Sequence, residues 1–143
     1  MLTTNTAAAI PEIKQILPRA LAAAAGVLAA ALAWVVEVPL LGIHLSIRFG
    51  PHGHVQTIAA GQVIGVTVAA ALLGWLLLAL LERRRTPRAR RIWATLALTA
   101  LVVSLALPLA AATTTSAVAG LVVMHLAVGA AVIPAMARTA RAR

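Results

Sequence analysis

Residues 20–41 read ALAAAAGVLAAALAWVVEVPLL, an apolar run broken by a single charge, Glu37. A hydrocarbon core ~30 Å thick needs about 20 residues at ~1.5 Å each to cross it as a helix. This stretch is long enough. Three more follow: 58–81 (IAAGQVIGVTVAAALLGWLLLALL), 92–112 (IWATLALTALVVSLALPLAAA) and 116–137 (SAVAGLVVMHLAVGAAVIPAMA). Strands would leave backbone groups unpaired in lipid, so the runs are read as helices. The expected fold is an all-α integral membrane domain, one four-transmembrane-helix up-down bundle over residues 1–143. An outer loop, 42–57, joins spans one and two, and a basic loop, 82–91, joins two and three.

Composition agrees with that frame. Of the 143 residues, 62% are hydrophobic and only 10% charged, with a mean hydropathy of +1.00. A soluble domain carries roughly a quarter charged residues. The net charge of +9 does not indicate nucleic-acid binding, because the arginines flank apolar segments instead of lining a polar face with aromatics. There is no cysteine, so disulfides, thiolate metal sites and cysteine nucleophiles are excluded. Tyrosine is absent too, which argues against a barrel with aromatic girdles.

Eleven of the twelve lysines and arginines fall on one side of the four spans. They are Lys14 and Arg19 before span one; Arg83, Arg84, Arg85, Arg88, Arg90 and Arg91 in the 82–91 loop; and Arg138, Arg141 and Arg143 at the end. Only Arg48 lies opposite. The positive-inside rule then predicts a multi-pass protein of the cytoplasmic (inner) membrane with both termini cytoplasmic, the basic loop touching anionic inner-leaflet lipids. Trp75 and Trp93 are expected at that interface. The apolar stretch of span one is longer than a signal-peptide core and no polar cleavage region follows it, so a retained span is expected. The segment IPEIKQILPRA, 10–20, is read as a short amphipathic helix on the inner leaflet, and the first nine residues as lacking structure.

In the outer loop, IHLSIRF (43–49) alternates, GPHG turns and HVQTI returns, the pattern of a small extracytoplasmic β-hairpin whose apolar side covers the helix ends. Its histidines, His44, His52 and His54, together with Glu37 would suit zinc or copper if they converged. The bland reading is a solvated polar loop. Glu37, two residues before Pro39, lies about 6 Å below the outer end of span one at the helical rise per residue. An ionisable group inside a membrane is a functional candidate by default. It can serve proton or cation coupling, and it can equally form an ion pair with Arg48. His125 lies about 13 Å into span four by the same count. It is read either as a structural residue bonding across helices or as a relay partner of Glu37. Gly61 and Gly65 form a GxxxG, and Gly26 sits between Ala22 and Ala30 at the same spacing; both are helix-packing faces, used within the bundle or between copies.

No phosphate-binding glycine loop, nucleophile elbow, zinc-binding helix motif or carboxylate dyad is present, and the chain holds three acidic residues in all. An enzyme is not expected. VPLLG (38–42), the alternating outer segment, QTI (56–58), GW (74–75) followed by LLALLER, and MHLAVGAAVIP (124–134) together resemble a family of uncharacterised small four-pass membrane proteins of actinobacteria. The resemblance covers residues 20–137. It implies the same four-span topology and brings no activity, substrate or cofactor; the PHGH turn is not part of its pattern. Two function classes remain. One is a non-enzymatic accessory or self-associating component of the cell envelope, a homo-oligomer or part of a larger membrane complex. The other is a small oligomeric transporter or channel using Glu37 and His125. Outward metal binding is a minor third.

Overall fold

The computed structural model describes residues 10–84 and 88–140. The expectation for the first nine residues lies outside that range, as do Arg85, Arg141 and Arg143. In chain order the elements are α1 (Ile10–Val35), a π-helical turn (Val36–Leu40), β1 (Ser46–Arg48), β2 (Val55–Thr57), α2 (Ala60–Arg83), α3 (Ala89–Ser104), α4 (Ala106–Ala111) and α5 (Thr115–Arg138). Four spans are long and apolar enough to cross a membrane: 15–40, 60–83, 89–111 and 115–138. The chain is an all-α, multi-pass membrane protein.

The four spans pack as a ring in which α1 touches α2 and α5, and α3 touches the same two from the far side. Two buried clusters mark its two ends. Ala22, Leu78, Trp93, Met136 and Ala137 fill the arginine-rich end; Ala30, Leu45, Val63, Leu121 and Met124 fill the hairpin end. Small residues set the closest approach, as expected where lipid is as apolar as the side chains and packing must drive association. Ala22, Gly26 and Ala30 on α1 are all buried, and a Cβ on Gly26 would collide with the Val132 side chain of α5. The outward faces are apolar: Val66, Leu73, Leu76, Val102 and Leu109 are all mostly exposed. That is the inverse of a soluble bundle and the signature of a lipid-facing one.

Each departure from the sequence reading has a local cause. Residues 10–20 form no separate surface helix; α1 runs unbroken from Ile10 through Pro18. The third span is interrupted at Leu105, because Pro108 cannot donate to the carbonyl four residues back and its ring crowds that turn. Trp93 is turned into the bundle and not onto its outer surface. It is 1% exposed, and its indole N–H donates to the Gly74 carbonyl of α2 at 2.8 Å.

The hairpin is as expected, antiparallel with Ser46 opposite Thr57, Ile47 opposite Gln56 and Arg48 opposite Val55. A third segment joins it. Ile47 bridges to Ala112, the Thr113 N–H donates to the Ser46 carbonyl at 3.0 Å, and the Thr113 hydroxyl donates to the same oxygen at 3.3 Å. The Ile58 N–H donates to the Leu45 carbonyl at 2.8 Å, and the Trp34 indole N–H to the Ile58 carbonyl at 3.3 Å. The hairpin is therefore fastened to α1 and to the α4–α5 connection, capping one end of the bundle.

Candidate functional site: a buried carboxyl under the hairpin

Glu37 stands on the π-helical turn. Pro39 lacks an N–H and would break an α-helical ladder; the wider turn takes up the mismatch, with the Leu41 N–H reaching the Val36 carbonyl five residues back at 3.0 Å. The wider turn points Glu37 inward. The residue is 5% exposed, and both carboxyl oxygens are buried with no hydrogen-bond partner.

Its surroundings are apolar and close. A Cβ on Gly120 of α5 would lie 3.0 Å from Glu37 Oε2 and 2.9 Å from Leu45 Cδ2. Gly120 is thus the gap in α5 that accommodates the carboxyl, and Leu45, fully buried, sits over it from the hairpin side. Glu37's own carbonyl accepts from the Ile43 N–H at 2.8 Å, which folds the chain back so that Leu45 reaches the bundle axis.

The expected partners do not meet it. Arg48 is exposed on β1 and Glu37 has no ion pair, so the anticipated Glu37–Arg48 bridge does not form. The alternation along β1 explains this: Leu45 points in, and Arg48, three residues on, points out. His44, His52 and His54 are exposed, and no group of three metal-ligating side chains converges among the described residues. The structure does not bring the three histidines and Glu37 together: the histidines are exposed while Glu37 is buried.

His125 does not bond across helices. Its Nδ1 lies 2.7 Å from the Leu121 carbonyl one turn earlier on α5. Five residues separate it from Gly120, about 140° around the helix and about 7 Å along it, so it shares neither face nor level with Glu37. It stands instead on the stripe of Gly129, which packs against Leu101 of α3. Gly61 and Gly65 face open space, with no atom within 4 Å of a Cβ built on either; that face of α2 is not used inside the bundle.

One polar contact goes beyond the sequence reading. Arg19 Nη2 donates to both carboxyl oxygens of Glu82 at 2.8 Å and to Gln15 Oε1 at 3.0 Å. Arg19 and Glu82 are 5% and 12% exposed, an ion pair buried between α1 and α2 at the arginine-rich end. From the sequence, Arg19 is only a flanking charge. The available signal was Glu82, the sole acid in a run of arginines and the last residue but one of α2. Arg83, Arg84, Arg88, Arg90 and Arg91 are exposed at that same end.

A family model of unknown function, DUF6069, matches residues 12–142, and the chain belongs to that family. No curated protein and no solved structure matches it.

Proposed function

We propose that this member of a family without an established activity is a non-enzymatic, self-associating component of the cytoplasmic membrane that works through one titrating group, Glu37. The observation that carries the reading is the carboxyl with both oxygens buried and unpartnered. A polar group buried without a hydrogen bond costs stability, and a charged one costs several kcal/mol, so its presence points to a role. On this reading the hairpin end faces outward and the arginine-rich end faces the cytoplasm. There, the exposed arginines of α2 and α3 meet anionic lipids and follow the positive-inside rule.

Transport through a single bundle has less support. Between Glu37 and the Arg19–Glu82 pair the described core is Ala22, Ala30, Val63, Leu78 and Met124, with Thr67 donating to its own helix at Val63. A route lined that way offers no relay. The transporter or channel alternative therefore requires a path between copies, with His125 on the α3 side of α5 as its second group.

Infrared difference spectroscopy tests the central claim. Wild type in lipid should show a carboxyl C=O band that appears and disappears with pH and is missing in Glu37→Gln. An identical pH response in the two proteins would sink it. Self-association is favoured by the unfilled Gly61–Gly65 face. After extraction in mild detergent, native mass spectrometry should show a homo-oligomer that Gly61→Ile/Gly65→Ile converts to monomer. A stoichiometric foreign partner in its place would make the chain an accessory subunit of a larger complex.

A further inference from the structure

The ligand of Glu37 and the side from which it arrives can be argued from how the site is closed. Bound metal cations exchange their hydration shell for several oxygens, six or more for calcium. The groups set against the carboxyl, the position of a Gly120 Cβ and the Leu45 side chain, offer none. No second acid, cysteine or histidine joins Glu37 in a metal-binding group among the described residues. On the α5 side Gly120 and Leu45 are packed against the carboxyl, and an organic cation there would have to displace them. A proton needs neither ligands nor volume.

Access is equally restricted. Toward the arginine-rich end Glu37 is followed by the apolar core of Ala30, Val63, Leu121 and Met124. Toward the hairpin end Leu45, with Ile43, Ile47 and Ile58 packed against the same cluster, lies between it and residues that are exposed: His44, Arg48 and the 50–52 turn. The segment carrying Leu45 is bounded by two glycines at positive φ, Gly42 at +66° and Gly50 at +77°. Those two positions tolerate backbone rotation that other residues resist. Between them the cap is held to the α4–α5 connection by the Ser46–Thr113 bonds and the Ile47–Ala112 bridge. Of the titratable and cationic groups on the elements packed against Glu37, His44 and Arg48 are on the cap, both exposed, and His125 on α5 faces elsewhere.

We infer that Glu37 is a proton site served from the hairpin end alone, and that Leu45, carried on the 42–50 segment, is the closure over it. This rests on Glu37 as the working group and adds its ligand and its gate. When the cap lifts, water reaches the carboxyl and the proton leaves for it; when the cap seats, the site holds the neutral acid.

The absence of native cysteine permits a test that does not depend on proton exchange. Glu37→Cys in sealed vesicles of known orientation is treated with a membrane-impermeant, charged methanethiosulfonate, and its modification is followed by mass spectrometry. The reagent should react slowly from the hairpin side and not from the arginine-rich side, and adding Leu45→Ala should raise the hairpin-side rate about tenfold, as expected for removing a local closure. Equal rates with and without the Leu45→Ala substitution, or reaction from the other side, overturn the gate. Should Leu45→Ala fail to fold, Ser46→Cys/Thr113→Cys serves, since these residues lie opposite each other at a spacing a disulfide can bridge. Oxidised, it should slow deuteration of the Glu37 carboxyl about tenfold, and reductant should restore the rate. An unchanged rate overturns the gate as well. If instead Glu37→Gln leaves the infrared pH response intact while thiol access remains gated, the working-group reading fails and the closure stands.

Discussion

Replacing Arg19 with methionine should destabilise the bundle by about 3–5 kcal/mol, the range for removing one partner of a buried ion pair. The guanidinium spans both Glu82 oxygens at 2.8 Å and also holds Gln15, with Arg19 and Glu82 nearly excluded from solvent. Deleting it removes the Arg19 charge from beside the Glu82 carboxylate inside the α1–α2 seam. The pair is weaker evidence for stability than for specificity, because forming it required desolvating both ions. The double variant Arg19→Met/Glu82→Leu should accordingly recover most of the loss, or exceed wild type by about 1–4 kcal/mol. Reversible unfolding in mixed micelles, run as a double-mutant cycle, measures both. A single-variant loss under about 1 kcal/mol would mean that water reaches the pair in the membrane, as it does at surface bridges.

The same pair shows where the sequence was readable and where it was not. Four uninterrupted apolar runs specify four helices, because lipid admits little else, and the alternation of 43–49 around GPHG specified the hairpin. Both are local patterns, legible one segment at a time. The position of Glu37 was legible too, as a lone charge in an apolar run. Its environment was not. Whether a carboxyl near a helix end reaches outward to Arg48 or turns inward toward Gly120 depends on a π-helical turn at Pro39 and on Leu45 returning over it. Proline promised a disturbance without saying which way the side chain would swing. His125 was misjudged for a related reason. Its depth could be counted, but its azimuth relative to α1 depends on which face of α5 the glycines expose. Arg19 counted correctly toward charge asymmetry while its actual partner lay 63 residues away, beyond what spacing reveals.

Glycine-to-alanine replacement should separate two closely packed helical glycines, Gly26 and Gly120, from two open ones, Gly61 and Gly65. In a helix interior alanine is intrinsically favoured over glycine by up to about 1 kcal/mol. At Gly61 and Gly65 nothing within 4 Å in the single chain opposes the added methyl, so each variant should keep the bundle of one copy at or modestly above wild-type stability while weakening self-association. At Gly26 the methyl collides with Val132, a β-branched side chain with little rotamer freedom, and α1 and α5 must separate. A loss of about 1–3 kcal/mol is expected, the usual range for overpacking. Gly120→Ala should lose less, because the 2.9 Å contact is to the free end of Leu45, which can yield. What yields, however, is the closure over Glu37. Gly120→Ala should therefore raise reactivity at Glu37→Cys from the hairpin side even where the fold tolerates it, while Gly26→Ala should weaken the bundle without that change. If both variants altered stability and access in parallel, Glu37 would be responding to general loosening, and the local fit of carboxyl, glycine and leucine would not be what keeps water out.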